Sequence, residues 1–543
     1  MSRPLEHKPT AVLVTGFILG NLAFKGALIS LNAAEYTDGI LQLTLLRRLN
    51  SIYPPLYALA AGAVNLAIGD LELAGRVVSV LASSLSVWPL FLLAERLFGR
   101  RAAVYAALFY TVSPIPLRWA LHAMTDATFG ALFLTAIWLY TLAWVRYGEE
   151  ATGAAGPDAA GSGDRSTAAG GGTPAPSAPR TAPPAPSTPA VWAIVCSVLA
   201  TLTRYQGALL FPLGFFFLNY DWHRRRRLPV ALNLAHVLWV LPVGWAAVAG
   251  FVHGRQFAER TAPSLGATLL NYWFHFESWL TYMPFFFTPL LGALMLGGVF
   301  LVPRGRTGAA FYTIAALGLT AAVVVLQTLF SSFQSRYLLP VVLLLMPFAG
   351  HAASTLEDRA QGRPAARRLH SALMTAALLW ALGFAITAVS LQRSAFGDLK
   401  AACRFVAARN PRGTVFVNET YRDDLHAVKA SFWLGREARY LDPALLENGL
   451  EFKDGDYIIW SSAYGGTDHY QAFMTWLMHT WNFFPAREFT SVIVPVLPDI
   501  MEFPGMSQNP IALSYRYYPQ EFFTVVFARR PEGQTGPLQP PEE

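Results

Sequence analysis

A small set of ionisable side chains sits where an apolar chain has least reason to carry them. Glu35 and Asp38 follow the first long apolar run, with Tyr53-Pro54-Pro55-Leu56-Tyr57 a little further on. His122-Ala123-Met124-Thr125-Asp126 opens another run, Arg204-Tyr205-Gln206 lies between two short ones, and Ser335-Arg336-Tyr337-Leu338-Leu339-Pro340 opens a later one. Charges at membrane depth are costly, so they are candidates for function by default. A carboxylate in such a place can take a proton from a hydroxyl, and a guanidinium can hold a phosphate through two parallel hydrogen bonds. Each residue also has a plainer reading. Glu35 and Asp38 could cap a helix and solvate a loop, Asp126 could cap its own helix, and Arg204 and Arg336 could be interfacial anchors. What favours chemistry is the set: three acids and two arginines at one depth.

That depth follows from the apolar runs. The chain has 543 residues, 54% hydrophobic and only 14% charged, against about a quarter charged in soluble proteins. A soluble enzyme, a disordered chain and a disulfide scaffold are thereby excluded. Because a spanning helix needs about 20 apolar residues, the runs predict eleven spans. They lie at 10–31, 74–95, 102–120, 126–145, 190–203, 206–220, 229–251, 283–302, 309–330, 337–354 and 369–391. The first is read as an uncleaved anchor. The stretch to Ile68 is short and rich in small residues, which suggests an interfacial or re-entrant helix.

With the N-terminus inside, eighteen Lys and Arg residues fall on inner segments and seven on short outer loops. The positive-inside rule then fixes the orientation. It places the acid–arginine set and everything after residue 392 on the outer face. The net charge of +7 reflects arginines grouped at the ends of apolar runs, such as Arg224 to Arg227, and not a nucleic-acid surface. Cys196 and Cys403 form no disulfide framework.

The domain division expected is 1–392 for the membrane domain and 393–543 for an outer α/β domain. Residues 150–189, a Gly/Ala/Pro/Ser/Thr tract, read as a disordered cytoplasmic loop. Past 395, a helix over 398–408 and strands at 413–418, 456–460 and 522–527 alternate. Nothing in that domain resembles a phosphate loop or nucleophile elbow, so recognition or shielding is its expected part. The aromatic run Tyr272 to Trp279 reads as an interfacial anchor, with a wall for an isoprenoid or a platform for sugar as the sharper alternative. Tyr464 to His469 reads as a loop that could touch an acceptor.

The ordered motifs resemble those of polyprenyl-phosphate-dependent glycosyltransferases of the GT-C fold, in the superfamily of protein mannosyltransferases and lipid A aminoarabinose transferases. Glu35-Tyr36-Thr37-Asp38 stands at the family's acidic motif after the first span, and Tyr53 to Tyr57 at its Pro-Pro-Leu segment. Arg96-Leu97-Phe98-Gly99-Arg100-Arg101 resembles its cytoplasmic turn, and Thr203-Arg204-Tyr205 and Arg336 to Pro340 two outer motifs. The likeness covers about 390 residues in order. Two departures stand out. The family often has adjacent Asp-Glu in the first loop, where Glu35 and Asp38 are three apart. Some members have Lys before the Pro-Pro pair, where Tyr53 stands, so a phosphate-binding cation is missing or comes from Arg47 or Arg48.

The resemblance implies transfer of a sugar from a polyprenyl-phosphate donor to a lipid, glycan or protein acceptor on the outer face, with inversion. It implies Asp38 as base, with Glu35 and Asp126 as supporting carboxylates. Arg336, Arg204, Tyr337 and Tyr205 would serve the donor phosphate, and Tyr53, His122 and Arg47 the substrate. No cofactor is demanded; a divalent cation is the one candidate, although Asp38, Asp126 and His122 do not by spacing define a ligand set. The expected setting is the inner (plasma) membrane, with membrane lipid as surroundings and no nucleic-acid partner. The alternatives are a flippase for lipid-linked sugars, against which the one-sided charges and lack of repeats argue, and a non-catalytic assembly protein acting through its outer domain.

Overall fold

The computed structural model describes residues 9–46, 53–153, 187–225, 230–248, 288–303, 305–330, 335–409, 412–419, 427–441, 451–465, 470–494 and 519–529. Arg47, Arg48, the Tyr272–Trp279 run, residues 466–469 and residues 154–186 of the presumed linker lie outside them. The two ends of that linker are helical: α8 (Thr125–Gly153) runs into it and α9 (Ser187–Thr203) begins inside it.

Seven described helical stretches are long and apolar enough to cross a membrane: Thr10–Ala27, Leu71–Phe98, Thr125–Glu149, Val230–Val248, Thr307–Val325, Ser335–Ala360 and Pro364–Leu391. The expected count of eleven is not established, because the other predicted spans are short or broken. Residues 102–120 form α6 (Arg100–Val112) and α7 (Pro114–Ala120), broken where Pro114 cannot continue the backbone ladder. The 206–220 run opens as a 3-10 turn, Tyr205–Leu210, before α10 (Phe211–Arg225). The run ending near 302 gives only α12 (Pro289–Phe300). The stretch to Ile68 is a 13-residue helix, α3 (Leu56–Ile68), ended by Gly69 at φ 76°.

Helix α1 spans Thr10–Ala27, and α2 (Thr37–Thr44) carries Asp38. Next come α4 (Leu71–Leu85) and α5 (Val87–Phe98), which together make one spanning stretch. The later helices are α11 (Val230–Val237), α13 (Thr307–Phe330), α14 (Leu339–Ala360) and α15 (Pro364–Leu391). The hub is α14: 94% of its apolar window is buried inside the protein. A Cβ on its Gly350 would lie 2.1 Å from the Ala102 carbonyl oxygen, so α6 packs backbone to backbone there. Close approach at small residues is how helices gain contact in lipid, where apolar burial drives nothing.

The two ends of the bundle differ in their charges. At one end Thr10 and Arg100 meet the Glu95 carboxylate, and Arg101 reaches Asp358 at 2.9 Å. These pairs are partly exposed and worth little each. The other end gathers the acid–arginine set.

The C-terminal region begins with α16 (Gly397–Ala408) and continues through β1 (Val415–Val417), α17 (Val428–Leu434), β2 (Arg439–Tyr440) and β3 (Tyr457–Ser461). It closes with α18 (Tyr470–Trp481), β4 (Phe483–Ile493) and β5 (Gln520–Arg529). The sheet order is β2-β1-β3-β5-β4, parallel through β1 and antiparallel at β5. The expected helix and three strands are therefore present; β4 and β2 are additions. Asp398 on α16 accepts from Ser491 on β4 at 2.8 Å and from Thr524 on β5 at 2.6 Å, which ties helix to sheet.

Candidate active site

Two loops and two helix entries converge at the end of the bundle opposite the Glu95 and Asp358 pairs. Asp38 sits in the first turn of α2, and Asp126 in the first turn of α8, where a carboxylate is favoured by the exposed backbone amides. The amide of Thr125 at the start of α8 donates to Gln42 Oε1 of α2 at 2.9 Å, so the start of α8 is joined directly to α2. Gly39 makes the approach sterically feasible, since a Cβ there would stand 2.8 Å from the Ala123 carbonyl oxygen.

Each acid meets an arginine from elsewhere in the chain. Arg336 Nη2 donates to Asp38 Oδ2 at 2.5 Å. Arg204 Nη1 pairs with Asp126 Oδ1, and its Nε donates to Gln206 at 2.7 Å. The Tyr337 ring contacts both guanidiniums, 4.9 Å from that of Arg204 and 5.1 Å from that of Arg336. Cation–π contact on the ring thus spaces two like charges in one small volume. Tyr53 adds a hydroxyl hydrogen bond to Asp38. Burial alone would raise the Asp38 carboxyl; Arg336, with Tyr53 and Arg204, outweighs it and holds the group below its ordinary value.

Arg204, Arg336, Tyr337 and Gln206 open onto a cleft whose other walls are Phe129, Leu209, Val323 and Pro340. Its lining thus combines two cationic side chains with apolar ones. Among the described residues, Nε of Arg336 and Oδ2 of Asp126 are buried polar atoms with no hydrogen-bond partner. Buried donors are normally satisfied, so an unfilled guanidinium N–H beside a cleft points to an anionic occupant. Tyr205 lies further out, bonded to Trp245, whose indole also donates to the Tyr53 carbonyl at 3.0 Å.

Glu35 and His122 are placed differently. Glu35 is fully buried and its two oxygens are taken: Arg76 Nε at 2.5 Å, His122 Nδ1 at 3.0 Å and the Ala123 amide at 3.0 Å. Burial would raise its carboxyl, but Arg76 and His122 together bring it down to about 2. His122 is pushed down to about 4, first by burial and then by Arg118, so the ring is neutral at pH 7 and donates to Glu35. Its faces rest on Tyr36 and Trp119, at centroid distances of 4.9 and 5.7 Å. None of Glu35, His122, Asp38 and Asp126 lines the cleft, but Asp38 and Asp126 adjoin it through Arg336 and Arg204, whereas Glu35 and His122 do not. Arg118, expected on an outer loop, is buried and donates to the Tyr36 hydroxyl at 2.5 Å. Arg47 lies outside the described residues. Among these, no three His, Cys, Asp or Glu side chains are grouped to hold a metal ion.

Arg76 was the residue whose importance the sequence reading missed. With Glu72 it forms an i,i+4 pair inside an apolar run, a signal of the kind already applied to the outer loops.

A family model described as dolichyl-phosphate-mannose-protein mannosyltransferase matches residues 53–156. No curated protein sequence gives a significant match. Among solved structures, the chain is similar to ArnT from Cupriavidus metallidurans bound to undecaprenyl phosphate, at 16% identity over 88% of this chain and 96% of that one, with a TM-score of 0.53. It is similar also to the archaeal oligosaccharyltransferase AglB from Archaeoglobus fulgidus, in complex with an inhibitory peptide and a dolichol-phosphate, at 12% identity over 84% of this chain and 71% of that one, with a TM-score of 0.52. This likeness of fold over most of each chain, together with the seven long apolar helical stretches, makes this chain a multi-pass membrane protein of the GT-C fold.

Proposed function

We propose that the protein is a membrane glycosyltransferase that moves a sugar from a polyprenyl-phosphate donor to a hydroxyl of a lipid, glycan or protein acceptor. The observation that carries the reading is the Asp38–Arg336 and Arg204–Asp126 pairs, whose two guanidiniums both contact Tyr337 and line a cleft shared with apolar side chains. The neighbouring structures, one solved with undecaprenyl phosphate and one with a dolichol-phosphate, support the same class of donor. Nothing in them favours a flippase.

In this mechanism the isoprenoid tail stays in lipid, where each buried methylene contributes about 0.8 kcal/mol. The phosphate enters the cleft, and the free Nε of Arg336 and the Arg204 guanidinium take its oxygens. Arg336 turns from Asp38 toward the phosphate and releases the carboxylate as base. The acceptor oxygen attacks the anomeric carbon and its proton passes to Asp38. The bond from that carbon to the phosphate oxygen breaks, and its electron pair leaves on the lipid phosphate between the two arginines. One displacement inverts the anomeric centre. Asp126 positions Arg204, Tyr337 spaces the guanidiniums, and Tyr53 and Tyr205 line the approach. Glu35 and His122 hold the loops and do not touch substrate.

The proposed setting is the plasma (inner) membrane with the N-terminus cytoplasmic. The site and residues 393–543, taken as a separate α/β domain, then face outward. The test is the purified chain in nanodiscs with a panel of labelled polyprenyl-phosphate sugars and a membrane acceptor extract. Release of free polyprenyl phosphate is expected with one donor. Movement of lipid-linked sugar across the bilayer without donor cleavage would overturn the reading in favour of a flippase.

A further inference from the structure

A chain of buried charges joins the C-terminal region to the acidic loops. Lys400 on α16 donates to both Glu72 oxygens, at 2.7 and 2.9 Å, and Trp433 on α17 reaches the same carboxylate at 3.3 Å. Arg76, one helical turn beyond Glu72, donates back to it at 2.7 Å and forward to Glu35 at 2.5 Å. Glu35 then holds the 122–123 segment through His122 and the Ala123 amide. Asp38 and Asp126 each lie three residues beyond these two anchor points, Glu35 and Ala123. The start of the first loop is also clasped by backbone: Lys400 donates to the Ala33 carbonyl at 2.8 Å, and the Ala33 amide donates to the Arg393 carbonyl at 2.7 Å. Asp70 caps α4 through the Leu73 amide at 3.0 Å, which fixes the helix turn that carries Glu72 and Arg76.

Two acids and two bases make the chain neutral in sum, and all four are buried. Such networks are weak contributors to stability, because desolvation offsets their attraction and apolar residues of similar volume do as well. What they supply is direction: each charged hydrogen bond fixes its partner's place. Here every bond lies on the path from the C-terminal region to the two loops whose separation sets the Asp38–Asp126 geometry.

We propose that Lys400 and Glu72 are positioning residues through which the seated C-terminal region sets the spacing of the Asp38 and Asp126 loops. This rests on the transferase reading above. Withdrawing Lys400 lets the Ala33–Glu35 segment drift, and a misplacement of about 1 Å at reacting groups can cost about a hundredfold in rate. The effect falls mainly on turnover, since the chain ends on the loops that carry Asp38 and Asp126, while Arg204, Arg336 and Tyr337 come from other elements that it reaches only through those two carboxylates.

The test uses the full chain in nanodiscs, with Lys400→Met and the charge-neutral pair Glu72→Gln/Lys400→Met, which keeps a folded reference if the single variant fails to fold. Both are expected to lose at least about tenfold in kcat while binding unlabelled polyprenyl phosphate within about twofold of wild type. Rescue separates position from stability. A Cβ built on Gly397 stands 3.2 Å from that of Ala33, near the spacing of about 3.8 Å that a disulfide prefers. Ala33→Cys/Gly397→Cys in the Glu72→Gln/Lys400→Met background should regain turnover when oxidised and lose it on reduction, with disulfide formation read on a non-reducing gel. A folded neutral variant with wild-type kcat overturns the proposal, as does a fully formed disulfide that restores nothing. If wild type itself cleaves no donor, the transferase reading falls and this proposal with it; if wild type is active, only the proposal is at stake.

Discussion

Replacing Arg336 by Gln tests the site in two independent ways. The guanidinium lies 2.5 Å from Asp38 with the pair largely buried, so its loss acts on the base as well as on the leaving phosphate. Two unit charges about 4 Å apart at an effective dielectric of about 20 interact by about 4 kcal/mol. Removing that attraction lets burial dominate and moves the Asp38 carboxyl upward. The sign is fixed. In wild type the carboxyl lies below its ordinary value, so the rate falls only as pH drops through a value under about 3.9. In Arg336→Gln the acid limb of kcat/KM moves to higher pH than in wild type. Loss of one donor to the developing oxyanion separately costs about 10²–10³ in kcat at its plateau. The assay is release of polyprenyl phosphate against pH. An acid limb in the same place as in wild type, together with a plateau within about threefold, would refute both the pairing and the role of Arg336.

Tyr53→Phe removes only a hydroxyl from Asp38, so its acid limb should rise by less than that of Arg336→Gln, with a plateau loss under about tenfold in the same assay. Gly39→Ala drives a Cβ to 2.8 Å from the Ala123 carbonyl, forcing the acidic loops apart; kcat should fall by about 10²-fold while polyprenyl phosphate still binds. Glu35→Gln leaves Arg76 and the Ala123 amide short of a carboxylate; thermal unfolding in detergent should report a loss of about 3 kcal/mol, and kcat of the folded fraction should fall by about tenfold or more because the 122–123 segment is no longer held.

Much of the site was readable because charge in an apolar chain has few innocent explanations. Asp38, Asp126, Arg204 and Arg336 announced themselves by depth alone, and the structure brings all four together. The pairing of distant residues could not be read from sequence. Nothing along the chain says that Arg336 meets Asp38 while Arg204 meets Asp126, because partners 298 and 78 residues apart are set by helix packing. Glu35 misled for a related reason: three residues from Asp38 on a turn, it reads as a helper, yet it points inward to Arg76 and the Ala123 amide. Lys400 carries no signal along the chain, since its partner Glu72 is 328 positions away. The strands of the C-terminal region were legible where β-branched and aromatic residues cluster, as in Tyr457–Ser461, whereas β4 hides its signal behind Pro485, Arg487 and Glu488 at the sheet edge.

The most direct test of the central claim is one comparison under single-turnover conditions, wild type against Asp38→Asn, with the cleaved donor and saturating acceptor. Asn keeps the shape of the side chain but cannot take the acceptor's proton. A fall of about 10²–10⁴ in the chemical rate, with polyprenyl phosphate still bound by a folded variant, is the result the account predicts. Cleavage of the donor by folded Asp38→Asn at the wild-type rate would contradict it.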